Sequence, residues 1–373
     1  MASVSPTTVT VSGSHSQARR PWPASTLQRS WVWLALAAPF VGLSILARLH
    51  HRQSTANDHL TSTAHLVPWG SSNLSFVSHL YPPLPVLVAE VLRSSLALGI
   101  AGSLFGGIIL EVVGVRLHRL HFPLPVVCIL VACLGASPSF IEAATGNLQT
   151  LMTLTLLTIA IEGFALFMFK HRTDAGFTAG LAIGLAGLCE PFALVCAAGF
   201  GLAGSVIALQ RSHTRRAEVR ATTSVLLFPT VAGIAAWCFL AWRFTGNGVA
   251  WLHDAAPELW FSHGVGTQLV DALKAVWTPL WHTPLYLVAM ALVLWRRTWL
   301  AATTVLLPPA IVVVARWLGL PVSDATVALL FDLMALIALP PRPARTMLVF
   351  ICAAAVAGIA LQWGGWTTGP ILT

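Results

Sequence analysis

Charge is what this sequence lacks. Only 9% of its 373 residues are Asp, Glu, Lys or Arg, and the acids number 13. Soluble domains carry about 25% charged residues, so a water-facing surface of this size cannot be built from this chain. A lipid-facing surface does not need them, because the bilayer solvates apolar side chains directly. Tyrosine is scarce as well, 2 residues against 15 Trp. The Trp excess fits a chain with much interfacial and lipid-facing surface. The six cysteines form no CxxC pair and no Cys/His group at zinc spacing, which excludes a zinc module and a dithiol redox centre. Cys128, Cys133, Cys196, Cys238 and Cys352 lie inside apolar runs and read as small buried hydrophobes. No tandem repeat is visible.

What is present is hydrophobic, 56% of the chain. Residues 1–30 are rich in Ser, Thr and Pro and read as a disordered cytoplasmic tail. After them, apolar runs of membrane-spanning length recur near 31–48, 84–110, 123–138, 148–169, 175–189, 191–209, 221–243, 278–295, 298–317, 325–339 and 345–363. The expected fold is an all-α, polytopic transmembrane helix bundle of about eleven spans. The runs at 123–138, 175–189 and 325–339 are short for a full crossing. The net charge of +8 does not point to nucleic acid. The basic residues sit in small clusters between apolar runs, as in cytoplasmic loops of membrane proteins.

Those clusters orient the chain. With the N-terminus inside, the cytoplasmic side receives Arg19, Arg20, Arg29, Arg116, Arg119, Lys170, Arg172, Arg211, Arg215, Arg216, Arg220, Arg296, Arg297, Arg342 and Arg345. The outside receives Arg48, Arg52, Arg243, Lys274 and Arg316. Fifteen against five is a strong positive-inside bias, and a miscounted span would scramble it. The expected location is a cell membrane with the active face outside. Two long loops fall on that face, 49–83 and 244–277. Both mix Trp, His and acids with apolar residues, as helices lying in the interface plane do.

Chemistry is therefore expected outside. Asp58 is the sole acid between residues 1 and 89, a few residues beyond a span end. A carboxylate there is either a solvated loop acid or a base able to take a proton from a hydroxyl. Arg48, Arg52 and Arg243 lie near the same face, as phosphate-binding cations or as snorkelling anchors. Glu142, in the short second outer loop, is a candidate partner for Asp58 at an acceptor site. Glu90 and Arg93, at i and i+3, read as a pair. Among the loop histidines, His59 and His79 are candidates for polar contacts to sugar hydroxyls, and no spacing suggests a metal site.

The order of a span, the outer-loop Asp58, and the turn Tyr81-Pro82-Pro83-Leu84 leading into the next span resembles the GT-C class of membrane glycosyltransferases. The branch it resembles most is the polyprenyl-phosphate-mannose-dependent mannosyltransferases. Gly146-Asn147-Leu148-Gln149 is similar to that branch's Gly-Gln-x-Asn opening of the fourth span, with the amides exchanged. Ala179-Gly180-Leu181-Ala182-Ile183-Gly184-Leu185-Ala186 resembles its Gly-rich fifth span. The resemblance covers roughly residues 31–250, with 251–373 supplying an outer loop and C-terminal transmembrane helices.

The resemblance implies inverting sugar transfer from a polyprenyl-phosphate donor to a glycolipid or glycan acceptor, with Asp58 as general base. Tyr81, Asn147 and Gln149 would contribute to substrate binding. The energy is carried by the glycosyl phosphate, so neither nucleotide nor metal is implied. One departure matters. Where the family has Lys followed by Pro, this chain has Glu190-Pro191. A Lys can meet a lipid phosphate as a point charge, whereas an ionised Glu repels one. Arg52, six residues from Asp58, is then the first choice for the missing cation. The other expectation is a GT-C-like structural subunit without activity, held among other membrane subunits. A transporter would show paired half-sequences with broken helices, and none is visible.

The charge count makes a direct prediction. A Cys introduced at Ser72 should react with an impermeant thiol reagent added outside intact cells, and a Cys at Ser212 should not. The reverse labelling pattern would overturn the orientation and with it every site expected on the outer face.

Overall fold

The computed structural model describes residues 25–50, 54–68, 80–211, 216–249, 251, 265–295 and 299–365. Among the described residues there are helices and no strands. In chain order they are α1 (Thr26–Leu49), α2 (Thr55–His65), α3 (Pro83–Leu92), α4 (Ser95–Arg119), α5 (Leu124–Ala136), α6 (Pro138–Gly146), α7 (Leu148–Lys170) and α8 (Thr173–Gly187). They continue with α9 (Phe192–Arg211), α10 (Arg216–Thr245), α11 (Val265–His282), α12 (Pro284–Trp295), α13 (Trp299–Trp317), α14 (Asp324–Ala338) and α15 (Arg345–Gly365).

Six of these, α1, α4, α7, α9, α10 and α15, are long and apolar enough to cross a membrane. Counting the bent pairs α5–α6 (63°) and α11–α12 (95°) as one span each raises the number to eight. The chain is a multi-pass membrane protein. The sequence expectation of about eleven spans also counted α8, α13 and α14. At 15 residues each, α8 and α14 reach about 22 Å, short of a hydrocarbon core of about 30 Å.

Local chemistry explains where the apolar runs break. The run at 84–110 is two helices rather than one span. Arg93 takes a left-handed conformation (φ 55°) and closes α3 through its N–H to the Ala89 carbonyl, and Ser94 then caps α4. Glu90 and Arg93 do pair, at 3.0 Å, across this corner. The run at 123–138 stops where Ser137 caps a new helix with Pro138 at its first position. Pro fits there because that N–H has no helical partner. The expected short loop holding Glu142 is thereby the helix α6. The first long loop carries α2, a helix with Ser54 as N-cap.

Glycine seams let the helices approach. Gly176, Gly180 and Gly184 recur every four residues on α8, which packs between α7 and α10. A Cβ at Gly180 would overlap the Val225 carbonyl oxygen of α10, and one at Gly184 would lie 3.1 Å from Pro229. Such small-residue stripes replace the hydrophobic driving force that membrane helices lack. The C-terminal helices belong to the same bundle. α14 packs on α4, α6 and α7 as well as on α11, α12 and α13, and Phe331, Leu329 and Tyr286 are fully buried there.

The bundle has two chemically different ends. At one, Arg116 and Arg119 hold Glu162 at 3.2 and 3.6 Å, Lys170 ends α7, and the Arg342 N–H donates to Leu120 (3.0 Å). The other end gathers the starts of α7, α9 and α14 and the turn after α8.

Overpacking the α8–α10 seam should be costly. Gly180→Val should lower the melting temperature of the purified protein by an amount equivalent to about 1–3 kcal/mol or more. Gly233→Val, on a stretch of α10 with nothing within 4 Å, should change it little. Equal effects at the two positions would show that the seam is not under close contact.

Candidate functional site

A cavity of about 580 Å³ opens at the end of the bundle remote from the Arg116–Glu162 cluster. Four separated stretches of chain wall it. α2 contributes Ala56, Asn57, His59 and Leu60; the start of α7 contributes Asn147, Gln149 and Thr150. The turn before α9 contributes Glu190 and Pro191, and the segment leading into α14 contributes Pro321, Val322, Ser323 and Thr326. Pro82 completes the wall at the start of α3.

Hydrogen bonds at helix starts lock these pieces together. Asn57, only 1% exposed, accepts from the Leu148 N–H at 3.0 Å through Oδ1 and so ties α2 to the first position of α7. The Ser54 hydroxyl donates to the Gly146 carbonyl. Asn147 caps α7 by accepting from the Thr150 N–H (3.1 Å), and Ser323 caps α14 by accepting from Thr326 (3.1 Å). These short polar side chains supply the acceptors that unpaired helix-start N–H groups require.

Behind the wall, the Tyr81 hydroxyl donates to the Gly187 carbonyl and its ring lies 4.4 Å from that of Trp251. The Leu84 N–H donates to the Leu188 carbonyl (3.3 Å). Together they fix the start of α3 against the end of α8, directly beneath Glu190. Burial holds the Tyr81 phenol above its ordinary range, with Cys189 and Glu190 adding to the effect.

Glu190 is 7% exposed and lies in the turn between α8 and α9. The Thr153 hydroxyl hydrogen-bonds its carboxyl, and Oε2 has no partner among the described residues. Burial pushes this carboxyl up to about 7, against a smaller opposing effect of Thr153. Asn57 Nδ2 is a second buried polar atom without a partner among the described residues.

Of the residues singled out in the sequence, the structure brings His59, Asn147, Gln149 and Glu190 into this one wall, with Tyr81 behind it. Asp58 sits in the first turn of α2, half-buried, between the wall residues Asn57 and His59 without being one itself. Arg48, at the last turn of α1, and Arg243, over the Phe244 ring at 5.9 Å, are exposed and do not line the cavity. Glu142 is half-buried on α6, also away from the wall. Arg52 and His79 lie outside the described residues. Among the described residues no Lys or Arg lines the cavity, and no three His, Cys, Asp or Glu converge as metal ligands would.

Sequence reasoning missed Asn57, Thr150, Ser323 and Thr326. The signal for the last two was the run Ser323-Asp324-Ala325-Thr326, a helix-start pattern with an acid in the first turn. A second cavity of about 490 Å³ is an apolar groove among α1, α4, α5 and α6, where Arg29 pairs with Glu111. No family model, curated protein or solved structure matches this chain.

The Asn57–Leu148 bond can be tested by stability. Asn57→Ala should lower stability by about 0.5–2 kcal/mol, the range for losing a helix-start acceptor. Asn57→Asp, which keeps the accepting oxygen, should melt close to the wild type. A thermal melt in detergent separates them, and an Ala variant as stable as the Asp variant would remove this bond from the framework of the site.

Proposed function

We propose that the chain is a membrane glycosyltransferase that moves a sugar from a polyprenyl-phosphate carrier to an acceptor hydroxyl on a glycolipid or glycan. The observation that carries this reading is the convergence of His59, Asn147, Gln149 and Glu190 on one polar cavity. They come from three distant stretches that the resemblance to GT-C transferases had marked separately. The reading includes the N-terminus inside and the cavity at the outer face. The distribution of charge supports that orientation, since Arg116, Arg119, Lys170 and Arg342 gather at the opposite end.

In this reading Asp58 removes the proton from the acceptor hydroxyl. The oxygen forms a bond to the anomeric carbon while the bond from that carbon to the phosphate oxygen breaks. The phosphate leaves with the electron pair, and the configuration inverts. Side-chain amides of Asn147 and Gln149 and the imidazole of His59 hold sugar hydroxyls, and helix-start N–H groups meet the departing phosphate. The prenyl tail remains in the bilayer, so the reaction needs a site built at the membrane boundary.

A second reading, an inactive subunit of GT-C type within a larger membrane complex, draws on a specific observation. No cation lines the cavity among the described residues, and Asp58 flanks the wall without being part of it.

Asp58→Asn decides between them. With a polyprenyl-phosphate sugar and membrane acceptors, the variant should insert and melt normally yet transfer sugar about 10²–10⁴-fold more slowly, the usual contribution of a general base. Full activity in the variant would remove Asp58 as the base. No transfer by the wild type with any polyprenyl-phosphate hexose or pentose would favour the subunit reading.

A further inference from the structure

The wall of the cavity is made of helix beginnings. Ala56 and Asn57 are the second and third residues of α2, Gln149 and Thr150 those of α7. Pro191 immediately precedes α9, and Ser323 and Thr326 are the cap and third residue of α14. All four helices have 11 residues or more. Each start contributes the positive end of a helix dipole, a favourable setting for an anion, although the Asn57, Leu148, Thr150 and Thr326 N–H groups are already capped. Among the described residues no Lys or Arg lines the cavity, so the positive ends of these helices are its source of positive potential, set against Asp58 and Asp324 in the first turns of α2 and α14 and against Glu190.

Two buried side chains show that the framework leaves this field unspent. Asn57 stands on the cavity wall and its Nδ2 has no acceptor among the described residues, because Oδ1 is fixed on Leu148 and so the amide orientation is set. An orphaned donor at 1% exposure costs about 1–3 kcal/mol unless a ligand meets it. Glu190 Oε2 lies on the same wall, also without a partner among the described residues.

We propose that this cavity binds a phosphodiester anion without any cationic side chain, through the starts of α2, α7, α9 and α14 and the Asn57 amide, with Glu190 as a proton-dependent gate. The proposal rests on the transferase reading only in expecting the phosphodiester to be carried on a lipid. When protonated, Glu190 takes the Thr153 hydroxyl bond on one oxygen and donates from the other to the anion. When ionised, it is itself the anion that the four helix starts hold, and it repels a second one. A Glu in the position where the resembling family carries Lys is then compatible with phosphate binding.

The groups that face Glu190 leave the gate to it. Tyr81 and Cys189 pack against it, and burial keeps both protonated, with the Cys189 thiol pushed up to about 12. Cys196 faces it from α9 and Cys238 lies near Tyr81 from α10. The described wall of α7 offers the neutral Gln149, Thr150 and Thr153, and that of α14 the neutral Ser323 and Thr326. Asp324, at the start of α14, is held by Arg316. α2 brings His59 across the cavity, with Asp58 beside it. His59 is the one other group that a pH titration must separate.

The sign follows from the carboxyl's position near 7. Binding requires the protonated form, so affinity is full below that pH and is lost as the pH rises through it. The probes are decyl methyl phosphate, a lipid-like diester, and dimethyl phosphate, its free counterpart; both carry one fixed negative charge from pH 5.5 to 8.5. Binding to the full chain in nanodiscs is measured by calorimetry. Wild type should bind decyl methyl phosphate about tenfold more tightly at pH 6 than at pH 8, and His59→Asn should keep that ratio. Glu190→Gln should hold the pH 6 affinity throughout, and Asn57→Asp should lose binding at every pH while melting normally. Preference for the decyl over the dimethyl diester assigns the site to a lipid-borne phosphate; equal affinity assigns it to a free one. A wild-type affinity that does not change with pH, or a pH dependence that disappears with His59→Asn, overturns the gate. Undiminished binding in Asn57→Asp overturns the site. These readouts are independent of sugar transfer, so the transferase reading and this one can fail separately.

Discussion

Everything in this molecule follows from the cost of an unpaired backbone group out of water. In hydrocarbon such a group costs several kcal/mol, so helices are the available structure and their ends become the only reactive places. The chain brings many of those ends together. α7, α9 and α14 begin at one end of the bundle and α8 finishes there, with α2 laid across them. Ser54, Asn57, Asn147 and Ser323 satisfy part of the demand. What they leave over is the positive end of several helix dipoles around a space of about 580 Å³. A carboxyl beside that field, too deeply buried to ionise freely, is the natural counterpart.

Such a meeting point requires helices that approach closely enough for their ends to share one space. The glycines of α8 let α10 lie backbone to backbone against it. On α4, Gly99 and Gly102 do the same for α6, whose carbonyls at Thr145 and Ala144 would be 2.8 Å from an added Cβ. α6 ends at Gly146, and the cap Asn147 starts α7 at once. The position of Asn147 in the wall is therefore set by packing within one turn of it. Sequence, seam and site form one chain of cause.

Much of this was legible in the sequence, for reasons that differ from residue to residue. Scarce charge and long apolar runs announced the all-helical membrane bundle, because bilayer thickness is a length that can be read in residues. Caps and glycines explain the limits. The run at 84–110 reads as uniformly apolar, yet Arg93 in a left-handed conformation and Ser94 as a cap divide it. His59 stood out as a loop histidine, Asn147 and Gln149 through the family resemblance and Glu190 as a departure from it, and they share a wall. Asn57 did not stand out, because its importance lies in a bond to Leu148, 91 positions away. Ser323 and Thr326 escaped because they lie beyond the stretch that carries the family resemblance. The Arg candidates were chosen by sign and position alone, and helix ends can supply the same sign without a side chain.

The spread of the wall along the chain has a consequence for how the protein is made. Residues 56–60 leave the ribosome before residues 321–326. Between them, the helices α3 to α13 must insert and find their neighbours. Until α14 arrives the chamber lacks the wall that Pro321, Val322, Ser323 and Thr326 supply. A chain without α14 would keep the starts of α2, α7 and α9 but not the closed wall around them.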